Sequence, residues 1–301
     1  MPPVGVGVEA SFSAELLKLR KWPAVWWVFA AAVTAVPVLA YAAPIVGYLA
    51  GIAGPSRLVA ALPGRLTETA AVGDGPVGAA CAYAIGVLSV GGEYRWGTLR
   101  AALTQGPSRG GVLAGKLAAL GVVLLGLALA RLASAALAAT GFVASVTGGA
   151  ADGVALSGTG GAARAPAAHA WPAGDAWAAW PSAPALTAGL AAGWLILAMW
   201  TALGVLAAFA VRDTALPLGA GAAWFLGVTF PGLLAGAGSC VLRLLRSALP
   251  GTNAVHLAAS LPEHAPAVIP SAGGRSALIV AGYLVAAIAL STLFLRRRDA
   301  A

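Results

Sequence analysis

Charge is scarce in this sequence: Asp, Glu, Lys and Arg make up only 9% of 301 residues, where an ordinary soluble domain carries about 25%. So little charge cannot cover a water-soluble core, which excludes a soluble enzyme, and the apolar content excludes a disordered chain. Cysteine is confined to Cys81 and Cys240. That is too few for a Cys-based zinc site, an iron–sulfur cluster or a disulfide-stapled secreted domain. The three histidines, His169, His256 and His264, are dispersed outside the apolar stretches, so no metal site is expected. There is no HExxH helix, no G-x-S-x-G elbow and no closely spaced carboxylate pair, so no catalytic residue is assigned. Lysine occurs three times beside 15 arginines, for a net charge of +8. In a soluble protein that balance would suggest nucleic acid. Here most basic residues flank apolar runs, so topology accounts for them and no nucleic-acid partner is expected.

What is present is hydrocarbon. The chain is 60% hydrophobic, with mean hydropathy +0.87. Six apolar spans are expected, at 25–48, 76–92, 112–146, 186–211, 216–237 and 277–295, judged against the roughly 20 residues that a crossing helix needs. The second is short and is expected to start earlier. The third is too long for one straight crossing and must tilt, kink or project. Forty glycines without a G-X-Y period fit helices that approach closely, with Gly47/Gly51 and Gly189/Gly193 as GxxxG pairs. The expected fold is all-α: a polytopic protein of six transmembrane helices in a lipid bilayer, forming a single domain over 1–301.

Basic residues orient it. With the N-terminus inside, Lys18, Arg20, Lys21, Arg95, Arg100, Arg109, Lys116, Arg212, Arg296, Arg297 and Arg298 are cytoplasmic. Arg57, Arg65, Arg164, Arg243, Arg246 and Arg275 are then outside and Arg131 is within a span. Eleven against six obeys the positive-inside rule and puts both termini in the cytoplasm. Trp22, Trp26 and Trp27 stand where an inner aromatic belt belongs, and no cleavable signal peptide is expected. External segments are expected at 49–75, 147–185 and 238–276. In the second, Trp171, Trp177 and Trp180 would rest in the outer interface; in the third, 239–249 would form a short surface helix. Near the N-terminus, Phe12, Leu16, Leu19 and Trp22 recur at helical spacing, with Glu15, Lys18 and Lys21 elsewhere. That pattern predicts an interfacial helix over about 10–22.

The most distinctive polar stretch lies between spans two and three. Glu93 closes span two, a helix-compatible run covers 94–103, Gly106-Pro107 ends it, and Ser108 can cap the next helix. As composition this is a solvated positive-inside loop, while its aromatic and charged mix also suits docking to a partner protein. Gly110 to Lys116 imitates a phosphate-binding loop, but Leu117 stands where the magnesium-binding hydroxyl belongs and no strand precedes it. Nucleotide binding is therefore not expected, and Lys116 is read as the inner boundary of span three. Arg131 is an intramembrane charge, functional by default; about 15 residues from Lys116, snorkelling outward or a structural pair is preferred over a substrate contact.

The stretch GGEYRWGTLRAALTQGPSRGGVLAGKLAAL resembles the loop in permease subunits of bacterial ABC transporters of the ABC-2 type. The family's pattern is E-Y-R-x-G-T-L-R, then P-S-R, then G-K at the next span, which Glu93, Tyr94, Arg95, Gly97, Thr98, Leu99, Arg100, Pro107, Ser108, Arg109, Gly115 and Lys116 fit. FSAELLKLRKWPAVWW resembles the family's amphipathic N-terminal segment, and LPGTNAVHLA an external segment before the last span. The long Ala/Gly-rich segment 147–185 departs from it. The resemblance implies a type V exporter-like fold in the inner (cytoplasmic) cell membrane. It further implies a separate ATPase subunit that carries ATP and magnesium, none being expected on this chain. A second permease chain, identical or related, would complete the pathway. Residues 93–111 would form the coupling loop, with 94–103 as the helix that docks the ATPase, and the cargo would be a hydrophobic or amphipathic compound leaving the cell. The competing classes are a membrane scaffold without transport and an intramembrane enzyme or maturation factor.

Overall fold

A computed structural model describes residues 4–52, 54, 58, 61–72, 75–98, 108–151, 180–229, 247–261 and 270–298. Among them every regular element is helical. Helix α1 spans Val4–Lys21 and α2 spans Pro23–Ala35. The break falls where Pro23 lacks an N–H and forces Trp22 into an extended conformation (φ −92°, ψ 106°). A π-helical turn, Val36–Ala42, joins α2 to α3, Ala43–Leu49. A 3-10 turn at Pro63–Arg65 leads into α4, Leu66–Val72, followed by α5, Pro76–Trp96. The remaining helices are α6 (Arg109–Ala151), α7 (Ala183–Val211), α8 (Ala215–Thr229), α9 (Pro250–Ala259) and α10 (Pro270–Arg298).

Among the described residues five helices are long and apolar enough to cross a membrane: Pro23–Tyr48, Pro76–Trp96, Arg109–Val143, Ala183–Val211 and Gly273–Arg296. The chain is therefore an all-helical, multi-pass membrane protein. The expected span at 216–237 is seen as the shorter apolar α8, because residues 230–246 lie outside those described.

Three expectations change shape. Span two does start at Pro76, after Gly75, and gains its length at the other end, running to Trp96. Gly97, at φ 66°, then terminates it in the left-handed conformation that glycine adopts without strain. Span three is one continuous 43-residue helix, about 65 Å long, so it projects beyond the roughly 30 Å hydrocarbon layer. Segment 49–75 is more than a surface connection. Leu58, Leu62, Leu66 and Ala70 are buried against Val36, Tyr41, Ala135, Ala139 and Phe142, and α4 packs on α6 and α7.

Helix α1 also differs from its expected role. Its Val8 meets Gly111 and its Ser11 meets Gly115, and further on Ala32 of α2 meets Arg131. The contacts climb together, so α1 and α2 run alongside α6. Phe12, Leu16, Leu19 and Trp22 pack on the protein core. The apolar stripe thus faces α6, where Gly111 and Gly115 leave a flat surface for a second backbone. Among the tryptophans, Trp26 and Trp27 are exposed and Trp22 is half-buried against Gly92; Trp180 is exposed, while Trp171 and Trp177 lie outside the described residues.

Helices α5 and α7 form the closest crossing. A Cβ on Gly86 would stand 2.1 Å from the Thr201 carbonyl oxygen, and one on Gly204 would stand 2.2 Å from that of Tyr83. The Thr201 hydroxyl donates to Ala82 O across the same contact (2.9 Å). Gly189 and Gly193 serve a second approach, against Thr67 and Ala71 of α4. Of the expected external helix, residues 239–246 lie outside the described set. The helix described next in the chain is α9, which buries Asn253, Ala254, Leu257 and Ala258 and exposes Val255 and His256.

One end of the bundle gathers the start of α6, the end of α5, the α7–α8 junction and the end of α10. Arg109 lies 3.5 Å from Arg296 O, and Gly91 abuts Asp213 and Thr214. Most of the basic residues assigned to the cytoplasm share this end.

Candidate functional site

At that end four ionised side chains from three helices meet. Glu15 and Lys18 stand three residues apart on α1, hence on one face. Glu93 lies in the last turns of α5, and Lys116 lies two turns into α6. Lys116 Nζ donates to Glu15 Oε1 (2.8 Å), Glu93 Oε1 (2.7 Å) and Ser89 O (3.2 Å), which uses all three of its protons. Lys18 completes the ring, donating to Glu93 Oε1 and lying 2.9 Å from Glu15 Oε2. Two acids and two bases cancel, so the formal charges of the cluster compensate one another. Lys116 is 1% exposed, and such a group persists in apolar surroundings only with partners of this kind.

Burial raises the Glu15 carboxyl, but Lys116 and Lys18 outweigh it and hold the group below its ordinary value of 4.5. Burial likewise lowers the Lys18 ammonium, but Glu93 and Glu15 outweigh it and hold it above 10.5. The Glu15 contribution to α1 docking is thus complete above pH 4.5 and is lost as pH falls through the lowered value. The Lys18 contribution is complete below pH 10.5 and is lost as pH rises through the raised one. Spin labels at Ser13 and Gly110, both exposed, should report a constant separation from neutral pH down to 4.5 and a broader one as pH falls through the lowered Glu15 value. Broadening within that window would show that these charges do not seat α1.

The expected loop residues fall on both sides of this ring. Glu93 is part of it. Tyr94 turns inward, its ring edge-on to Phe209 at 6.0 Å. The expected docking helix at 94–103 is not separate at its start, since Tyr94, Arg95 and Trp96 complete α5. Arg95, Trp96, Gly97 and Thr98 are exposed, while Leu99, Arg100 and Pro107 lie outside the described residues. Ser108 caps α6, its hydroxyl accepting from Gly111 N at 3.1 Å. The imitation phosphate loop is the first turns of α6. A Cβ on Gly115 would strike Ser11 Cβ at 2.6 Å, so this glycine admits α1 and not a phosphate. Beside the ring, Lys18, Lys21, Trp22, Glu93, Trp96 and Thr98 line an open groove of about 460 Å³. Glu15, Lys18 and Lys116 were not expected to share a site with Glu93. The only hint was a lysine seven residues inside an apolar helix.

Arg131 does not snorkel. It is 1% exposed, and its guanidinium donates to Ala70 O (3.1 Å), Ala71 O (3.3 Å) and Ala32 O (3.2 Å). Ala70 and Ala71 end α4, where carbonyls lack helical partners and a cation is favoured. Ala32 and Val33 lie one turn before Pro37, which has no N–H to return to them. Arg131 serves the first, and the Ser134 hydroxyl lies 3.3 Å from Val33 O and 2.9 Å from Arg131 O. The arginine is a structural cap at the seam between the main apolar core and the smaller one under α4.

Toward the opposite end, α4, α5, α7, α8 and α9 enclose a half-open cavity of about 400 Å³. Among the described residues no group of three His, Cys, Asp or Glu is placed to hold a metal. A scan against protein-family models finds no match for this chain, and no curated protein matches it.

Proposed function

We propose that this chain is the permease subunit of an ATP-driven exporter of the ABC-2 type. It would work in the cell membrane with a separate ATPase subunit and a second permease chain. The reading rests first on the resemblance of residues 91–120. The observation that carries it is mechanical. The exposed Arg95, Trp96 and Thr98 continue directly from α5, and Ser108 opens α6 on the far side of the same connection. Both helices are tied to α1 by the Glu15–Lys18–Glu93–Lys116 ring. A push on residues 97–108 therefore enters a clamped unit of three helices and tilts it as one body. ATP binding on the partner would shift the permease only if the loaded partner holds one tilt more tightly than the other.

A sixth crossing completes the proposal. Helix α8 starts at the end where α7 stops, beside Gly91, whereas α9 packs on α4 and α10 at the other end. The placement of α8 and α9 at opposite ends is in keeping with a sixth crossing and with both termini on one side. Reporter fusions after Ala301 and within 150–180 should give opposite signals; matching signals would remove the even-span reading.

The coupling test uses side chains that face solvent. Arg95→Glu with Trp96→Ala should leave the amount of permease unchanged. Co-purified ATPase should fall by about thirtyfold, the loss expected for an aromatic anchor worth about 2 kcal/mol at an interface. Normal assembly together with normal substrate-stimulated hydrolysis would mean that the connection is only solvated chain.

A further inference from the structure

We propose that the cavity enclosed by α4, α5, α7, α8 and α9 binds the hydrocarbon tail of a single-chain amphipath and seats its polar head at Thr252 and His256. The proposal stands independently of ATP-driven transport. The floor of the cavity is buried and apolar: Ile196, Leu197 and Trp200 of α7. The Trp200 and Phe225 rings lie 5.0 Å apart with their planes tilted by 58° and give the cavity an aromatic wall. Water entering such a space would find few of the two to four polar partners it needs. The polar side chains of the lining sit on α9, at the rim: Thr252 is half-buried, and His256 is exposed beside exposed Trp224 and Val255. The lining is thus amphipathic in the sense of the ligand, hydrocarbon within and hydrogen-bonding groups at the mouth.

Size selects one chain over two. The volume, about 400 Å³, is at the low end for ligand sites. At about 30 Å³ for a group the size of water or methylene, it holds roughly a dozen carbons. The cavity has room for one chain and not for two side by side, which matches a fatty acid or a single acyl or prenyl tail.

The probe is a fatty acid carrying a diazirine within its chain, photolysed on purified full-length protein in lipid nanodiscs. Labelling is expected in peptides containing 196–200 and 251–256, saturating with probe and displaced by excess unlabelled fatty acid. Exposed Leu290 and Leu293 of α10 report bulk lipid and should label without saturation. Gly251→Leu fills the site: a Cβ there meets Trp200 at an ordinary 3.8 Å, and leucine suits a helix better than glycine. Room for roughly two methylene groups is lost, so the affinity should fall about tenfold. His256→Ala should weaken binding by a smaller factor. Labelling that excess fatty acid does not displace, or that Gly251→Leu leaves unchanged, would overturn the proposal; in that case bilayer lipid merely laps the opening. Unchanged binding in His256→Ala would overturn the placement of the head. Should Gly251→Leu fail to fold, Ala79→Leu fills the same cavity from α5, and displacement on the unaltered protein decides by itself.

Discussion

Arg131→Leu is expected to remove most of the folded protein, with a destabilisation on the order of 3–5 kcal/mol. On hydropathy alone leucine is the mild replacement, since it takes a costly charge out of an apolar helix. The structure reverses that expectation. The guanidinium answers three carbonyls, Ala32, Ala70 and Ala71, and within a bilayer no water replaces it. Leucine would leave the end of α4 and the turn before Pro37 without their donor, and the two apolar cores would lose the group that joins them. Arg131→Lys should recover part of the loss, because one ammonium cannot present the planar fork that spans carbonyls on two elements. Yield of monodisperse protein and Tm in detergent measure both variants. A wild-type Tm for Arg131→Leu would show that the carbonyls find other donors, and Arg131 would return to being a candidate for substrate contact.

What was legible in the sequence follows from which forces leave a local record. Hydropathy does, so crossing helices are placed close to where they stand, and Pro76 and Ser108 punctuate them in the chain itself, whereas Gly97, which ends α5, is passed over by the run expected at 94–103. The end of α5 was misjudged because Glu93, Tyr94 and Arg95 look polar, and therefore terminal, in a one-dimensional reading. In the fold Glu93 has Lys18 and Lys116, and Tyr94 has Phe209, so the helix continues through them. Helix α1 was legible as amphipathic but not in its target. A stripe of Phe12, Leu16 and Leu19 suits lipid as well as it suits α6, and only Gly111 and Gly115 across the interface decide. The charge ring joins residues 75 and 101 positions apart, a separation at which no local pattern survives. The α5–α7 crossing at Gly86 and Gly204 was hidden differently, because forty glycines make any one spacing uninformative.

Lys116→Met should be nearly as damaging as Arg131→Leu, and its rescue is more informative. Lys116 is buried, and its three donors serve Glu15, Glu93 and Ser89 O. Without it, two carboxylates face a single ammonium, Lys18, in apolar surroundings, and breaking a buried ion pair by removing one partner costs about 3–5 kcal/mol. Methionine matches the lysine stem in length and packing, so the loss measures charge and not volume. Glu93→Gln in the same chain restores neutrality, leaving Glu15 with Lys18, and the double variant should regain more than half of the stability lost. If single and double variants melt together, the side chains touch without energetic coupling, and α1 is held by Phe12, Leu16 and Leu19 alone. Apolar replacement of a whole buried network is often neutral or better for stability, so the ring has to be judged by what it specifies. It fixes α1 in one register on α5 and α6, since sliding by one turn would bury unmatched charge, whereas an apolar seam would tolerate the slip. Spin labels at Ser13 and Gly110 should therefore show one narrow distance in the wild type. They should show a broadened distribution in the double variant even where its Tm is close to normal. A narrow distribution there would assign the register to packing and leave the ring no part in transmitting movement from the loop.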